Sequence, residues 1–530
     1  WAVPRRGAAL GGGSAYHGHA AGVTRPPSHH GSPVHLPWGR LDGPTLLSAR
    51  WVVGHAGGRH RLYERGEVVF EGERITFVGH RFPGVVARRV EYGAALIGPG
   101  FVDLDALSDL DTTVLGYDNG PAPKKGRVWP RDYVEAGPVE MYAPEALVFQ
   151  KRYAFAHLLR NGITTALPIA SLFYRAWGET WDEFAAAAEI AEALNLRVYL
   201  GPAYRTGNQV VEPDGSIGTY FDEECGLAGL ADAVRFCKAF EGRAGGLIRT
   251  MLAPNRIETC TPALVRRGAA ASRDLGVPLR QHCCQSRIEY ELVLKLRGMS
   301  PPEWLDSLGA PGPGVLLPHG TFVSGSSRIA RPGRDLEIIR DSGATIVHCP
   351  LVSARGGSVI ESFARYRRIG LRLGMGTDTW PADMVLNMQA GMMPCRVVEG
   401  DAAACRSEDY YDAATLGGAE ALGRPDLGRL APGALADITV FDLSKSPAGR
   451  VMDPIQAMMV AGRGTDFRTV IVGGRASMQE GAIPGLDWDE LEVRAAAQFA
   501  GLVAQYPRRT FGHPTVKEIF SSAYPVERAP

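Results

Sequence analysis

Five side chains able to bind a metal or move a proton stand where short apolar segments end. Asp105 follows ALIGPGFVDL, His282 follows VPLRQ, His319 follows GVLLP, His348 follows ATIV and Asp378 follows LRLGMGT. A neutral imidazole offers a ring nitrogen to a divalent ion; a carboxylate can ligate the ion and also take a proton from its water. One such histidine alone is ordinarily a hydrogen-bonded structural residue. Several at matching segment ends point to function, above all for His282, His319 and Asp378. If residues 280–284 stay extended, Cys284 shares a face with His282. Its thiolate would then be a zinc ligand or a nucleophile, with a small buried apolar role as the plainer alternative. Arg205 and Trp380 follow two of the segments and are placed to meet a substrate or to pack. Asp109 and Asp111 form an acidic loop after the first, expected to be solvated unless it supplies carboxylates.

These groups need a frame that brings segment ends together. Eight strand candidates run through 95–107, 162–170, 196–204, 246–254, 277–284, 314–322, 344–352 and 371–380. Helical patterns lie between them, as in 181–195 and 263–276. That alternation predicts an α/β fold, a (β/α)8 TIM-type barrel over 99–420, with its chemistry at the C-terminal strand ends. Short alternating segments at 44–98 recur at 421–480, which predicts one small β-sandwich built from both termini. Residues 1–43, rich in Gly, Ala, Pro, Arg and His, read as a disordered extension. The H-G-H at 17–19 and H-H at 29–30 are taken as biased composition, not a metal tract. Residues 481–530 give a C-terminal helix and tail.

Lys+Arg and Asp+Glu both number 57 among 530 residues, so the formal net charge is zero and neither nucleic acid nor an anionic membrane is an expected partner. No apolar run is long enough for a transmembrane helix. Eight cysteines without a CxxC framework suggest a reduced, cytoplasmic protein. The partners expected are a small-molecule substrate and further copies of the chain.

The motifs together resemble the amidohydrolase superfamily, in the branch of cytosine deaminase, guanine deaminase and the triazine chlorohydrolases. P-G-F-V-D at 99–103, N-G-I-T-T at 161–165, R-Q-H-C-C-Q around His282 and L-L-P-H-G around His319 carry the likeness. So do V-H-C-P at 347–350, G-M-G-T-D-T at 374–379 and the run from Leu422 to Asp442. The resemblance implies one divalent metal, zinc or iron, with His282 and Asp378 as ligands, Asp378 also as base and His319 as the group polarising water or substrate.

Three departures from the family pattern change the expected chemistry. Asp105 and Leu107 occupy the places of a paired-histidine metal motif; Asp105 can still ligate through oxygen and Leu107 cannot. Gln285 stands where the family has a proton-shuttling glutamate, and an amide does not exchange protons usefully. H-C-P-L-V-S at 348–353 departs from the family's H-C-P-x-S-N, altering the substrate-facing pair beside His348. The expectation is a hydrolase acting on a non-peptide C–N bond or a related leaving group of a small, heterocyclic substrate. Its metal site would be a non-standard set of Asp105, His282 and Asp378. The alternatives are a metal-independent lyase or isomerase, or a catalytically silent binding protein on the same barrel.

Overall fold

The computed structural model describes residues 35–118, 126, 128–169, 171–445 and 451–527. Eight short parallel strands form the barrel: Phe101–Ala106, Ile163–Pro168, Arg197–Leu200, Ile248–Thr250, Leu279–Arg280, Val315–Pro318, Thr345–His348 and Arg372–Met375. Each is largely buried, and the intervening helices, such as Trp181–Leu194 and Pro262–Leu275, turn their apolar faces onto them. This is a TIM-barrel-type α/β fold.

The strands make two four-stranded parallel arcs, one through four and five through eight, rather than one continuous ladder. A few contacts join the arcs, among them Leu252 N to Pro278 O at 2.9 Å. Arg280 N donates to Leu252 O at 2.9 Å on one side, and Asp378 N donates to Asp105 O at 2.8 Å on the other. Asp103 strengthens the second seam by accepting from Thr377 N at 3.0 Å and Thr377 Oγ1 at 2.6 Å. Backbone pairing thus ties the first and eighth strands where Asp105 and Asp378 lie.

The run 95–107 is two strands, not one. Ala95–Pro99 belongs to a six-stranded sheet outside the barrel, and Phe101–Ala106 begins the barrel. The chain passes between them at Gly100, where a Cβ would lie 2.0 Å from Thr164 Oγ1. In the six-stranded sheet, Ala95–Pro99 pairs antiparallel with Ile438–Asp442, placing Val440 opposite Ile97. A second, four-stranded sheet comes wholly from 45–91. Leu47, Val68, Ile97, Ile438, Val440 and Ile471, drawn from both sheets, share one apolar cluster.

Of the expected extension 1–43, residues 1–34 lie outside the described part, and with them both histidine-rich stretches. Residues 36–43 are not free. Leu36 is buried, its N–H donates to Gln479 Oε1 at 2.7 Å, and its carbonyl accepts from Gln479 Nε2 at 2.8 Å. The C-terminal region also docks. After the helix Trp488–Gln505, a single turn at Tyr506–Arg509 is buried at Tyr506 and Arg509. The Tyr506 hydroxyl accepts from Gly126 N at 2.7 Å and donates to Asp118. Among the described residues, no helix is long and apolar enough to cross a membrane.

Candidate active site

The first barrel strand delivers Asp105, the fifth leads into His282, the sixth into His319 and the eighth into Asp378. Two of these residues leave their strands in an unusual conformation, with φ of 81° at His319 and 46° at Asp378. Such left-handed geometry in non-glycine residues is costly and collects at functional sites. It turns both side chains toward the centre. One ligand atom each of Asp105, His282 and His319 lies within 4.8 Å of the others, and the same holds for His319, Cys349 and Asp378. His319 belongs to both groups. The closest approaches are Asp105 Oδ2 to His282 Nε2 at 3.5 Å and His319 Nε2 to Asp378 Oδ2 at 3.6 Å. Donor atoms around one zinc ion lie roughly 3–4 Å apart, given bonds of about 2.0–2.2 Å. The oxygen and nitrogen donors of Asp105, His282 and His319 therefore fit a divalent ion, and Asp378 adjoins that set through His319. Neither ring nitrogen of His319, nor Nδ1 of His282, has a hydrogen-bond partner among the described residues.

Arg280 is part of this centre and was absent from the candidates drawn from the sequence. It lies two residues before His282, so strand alternation aims it at the same interior face. Its Nη1 and Nη2 donate to Leu167 O at 2.6 Å and Pro168 O at 2.9 Å, across the barrel. Its Nε approaches Asp105 Oδ1 at 3.4 Å, while both side chains are almost fully buried. Asp105 thus divides its two oxygens between a guanidinium and His282. Burial pushes the Asp105 carboxyl up, but His282, Arg280 and His319 outweigh it and hold the group below the usual carboxylate range. His319 goes the other way: burial, then the charge of His282, bring it down to about 3, so its imidazole is neutral.

The remaining candidates divide. His348 is buried at the end of the seventh strand, its Nε2 without a described partner, and burial lowers it to about 3. Gln285 heads the turn into the helix Arg287–Arg297, with a buried, unpartnered Oε1. Cys284 does not share the face of His282. The strand ends at Arg280, and Cys284 has a φ of 61°. Its Sγ meets Cys283 Sγ at 3.7 Å, its N–H donates to Glu289, and burial pushes its thiol well up, which disfavours the thiolate. Trp380 stacks on Tyr153 at 5.5 Å and lines an outer groove of about 520 Å³ with Leu110, Tyr117 and Phe499. The acidic loop is buried, not solvated: Asp109 accepts from Thr112 N and Ser171 N at 3.1 and 3.0 Å.

The centre is closely packed. A Cβ on Gly376 would lie 2.6 Å from Asp105 Cβ and 2.9 Å from Cys349 Sγ. Gly376→Ala is therefore expected to cost about 1–3 kcal/mol, as overpacking of a filled interior does. A urea midpoint equal to that of the native chain would contradict it.

Comparison with known proteins shows the family. Residues 129–476 match the amidohydrolase family, and the chain belongs to it. It is 28% identical over 450 residues to a 5-methylthioadenosine/S-adenosylhomocysteine deaminase of Natronomonas pharaonis, across 83% of this chain and 93% of that one. It is 29% identical over 366 residues to the 8-oxoguanine deaminase of Pseudomonas aeruginosa, across 68% and 78%. Among solved structures, the zinc complex of atrazine chlorohydrolase from Arthrobacter aurescens superposes with a TM-score of 0.69 at 20% identity, covering 86% of this chain and all of that one. At that identity the superposition speaks for the fold.

Proposed function

We propose that the chain is a hydrolase acting on a non-peptide C–N bond, or a related leaving group, of a small heterocyclic substrate. The observation carrying this reading is the convergence of Asp105, His282, His319 and Asp378 at the C-terminal end of an amidohydrolase-family barrel. The named deaminase and chlorohydrolase relatives support the reaction class. One divalent ion, zinc or iron, would be held by Asp105 and His282, whose donor atoms lie together with those of His319, and by Asp378, 3.6 Å from His319. Such an ion supplies Lewis acidity and ionised water at neutral pH.

The chain's own groups do the rest. Neutral His319 can take a proton at a ring nitrogen or polarise the attacked group. The Asp378 carboxylate beside it can accept the proton of the attacking water. Arg280 fixes Asp105 so that one oxygen stays turned toward His282. Burial of the centre keeps bulk water out and strengthens each of these interactions. Gln285 neither donates nor accepts a proton as an acid or base near neutral pH, which favours a leaving group that departs without protonation, such as chloride, over a ring amine. Arg205 and His348 are proposed as substrate contacts.

Metal analysis of the purified protein tests this. The expected result is near-stoichiometric zinc or iron, lost in Asp378→Ala together with hydrolysis of chloro- and amino-triazines. Metal-free protein that turns over a heterocycle would overturn the metal assignment.

We also propose the architecture as a barrel over 99–420 flanked by a β-sandwich of 44–98 and 421–480. Self-association is proposed as well. Met393 and Val397 on the helix Met384–Glu399, and Val460 on the adjoining Pro454–Ala461, are 58%, 79% and 67% exposed. Exposed apolar side chains on two packed helices suit a second copy. Sedimentation equilibrium should show a dimer or larger species that Val397→Glu shifts toward monomer; a native monomer at high concentration would refute it.

A further inference from the structure

Outside the centre just described, the barrel mouth holds two arginines that are almost completely buried and lack a carboxylate partner. Arg205 follows the third strand. Its Nη1 donates to Asn208 Oδ1 at 3.0 Å, and its Nε and Nη2 have no hydrogen-bond partner among the described residues. Its guanidinium lies 4.7 Å from the ring of Trp129 and 5.3 Å from that of Trp177. Arg509 arrives from the far C-terminal turn. Its guanidinium sits 3.7 Å over the ring of Tyr174, beside that residue's hydroxyl, and no carboxylate or carbonyl accepts from its three nitrogens among the described residues. The Trp129 ring that faces Arg205 packs at 5.5 Å on Tyr133, whose hydroxyl accepts from Val139 N at 3.1 Å, and two residues on Met141 N donates to Tyr174 O at 3.1 Å, so one run of contacts joins the two guanidinium groups.

A buried guanidinium without an acceptor is strongly unfavourable. Aromatic stacking compensates part of this through the ring faces and leaves the N–H edges unsatisfied. The nearby acids do not complete the balance. Glu258 uses Oε1 for Arg256 at 3.2 Å and for Gln209 Nε2, and its Oε2, although unpartnered, makes no ion pair with Arg205 within 4 Å. Asp111 lies near Arg509 but forms no ion pair with it among those found, and burial followed by the charge of Asp109 drives it toward its neutral form. The undescribed residues 119–125 and 127 contain no Asp or Glu; they are Asn, Gly, Pro, Ala, Pro, Lys, Lys and Arg. Asn208 Nδ2 and Trp129 Nε1 add two more buried donors without described partners. Buried N–H donors on Arg205, Asn208, Trp129 and Arg509 thus stand without acceptors among the described residues in one water-poor region.

We propose that Arg205 and Arg509 form an oxyanion subsite that binds a carboxylate or phosphate carried by the substrate. Planar guanidinium groups present paired N–H donors matched to both anions. Arg256 links this subsite to the centre, because it bridges to His282 in the adjoining segment. The reacting ring would lie toward His282 and His319, and the anionic substituent toward the third strand and the C-terminal turn. Calling the ligand a substrate rests on the hydrolase reading; the presence of the subsite does not.

The test is thermal unfolding and equilibrium binding of the full chain with sodium benzoate or inorganic phosphate, at constant ionic strength set with chloride. One or both anions should raise the melting temperature by about 1–3 °C in a saturable manner. Preference for benzoate assigns a carboxylate, preference for phosphate a phosphoryl group. Arg509→Met should abolish the dependence and, by removing an uncompensated buried charge, melt no lower than the native chain without anion. Arg205→Lys keeps charge but not the planar donor pair, and should weaken binding at least tenfold. No saturable effect of either anion on the native chain, or the same effect in Arg509→Met, would overturn the proposal. Turnover without anion binding defeats the subsite and spares the hydrolase reading; anion binding without any turnover does the reverse.

Discussion

Asp105→Asn is expected to destabilise the protein by about 3–5 kcal/mol, the usual cost of removing one partner from a buried ion pair. The amide keeps the shape of the carboxylate and removes its charge. Arg280 then keeps its two carbonyl acceptors at Leu167 and Pro168 and loses the only carboxylate within 4 Å of it among the described ion pairs. Arg280→Met should cost a comparable amount, since Asp105 would face His282 without its guanidinium. The double variant Asp105→Asn/Arg280→Met should cost well below the sum, because neither charge remains to be stranded. Urea unfolding of the three variants in the presence of a chelator separates this effect from metal binding. Additive losses would show that the two side chains do not act as a pair.

That pair also marks how far the sequence could be read. The barrel was legible because strand and helix patterns alternate over some three hundred residues, and His282, His319 and Asp378 fell at strand ends as their spacing predicts. Arg280 carried a signal too. It stands two residues before His282, and period-two alternation points both inward, but an arginine inside a barrel makes sense only once Asp105 is seen opposite it. Cys284 failed for a local reason. Extended backbone to residue 284 was assumed, whereas the strand stops at Arg280 and Glu289 draws the backbone N–H groups of Cys284 and Gln285 into the helix start. Trp380 and the Asp109–Asp111 loop depended on packing by the helix and turn beyond residue 487. So did Arg509, about three hundred residues from Arg205 in sequence; no periodicity or motif joins them.

Gln285 sets the largest expected effect on rate. Releasing ammonia from a nucleobase needs a group that hands one proton to the ring and another to the departing amine. General acid–base assistance of this kind is typically worth about 10²–10⁴ in rate. The native chain should therefore be a very poor cytosine or guanine deaminase even with zinc supplied. Gln285→Glu alone should not rescue it, because Leu107 still leaves the first strand one ligand short. Nor should adding Asp105→His and Leu107→His suffice, since a histidine at 105 would meet the Arg280 guanidinium in place of its counter-ion. The informative background is Asp105→His/Leu107→His/Arg280→Met, compared with and without Gln285→Glu. Within that pair, the glutamate should raise ammonia release from a nucleobase and aminotriazine panel by about 10²–10⁴, while loss of chloride from chlorotriazines changes much less. Rapid ammonia release by the unmodified chain would show that another residue moves the protons. The buried carboxyls of Glu258 and Glu289, close enough to affect one another, would then be the first to examine.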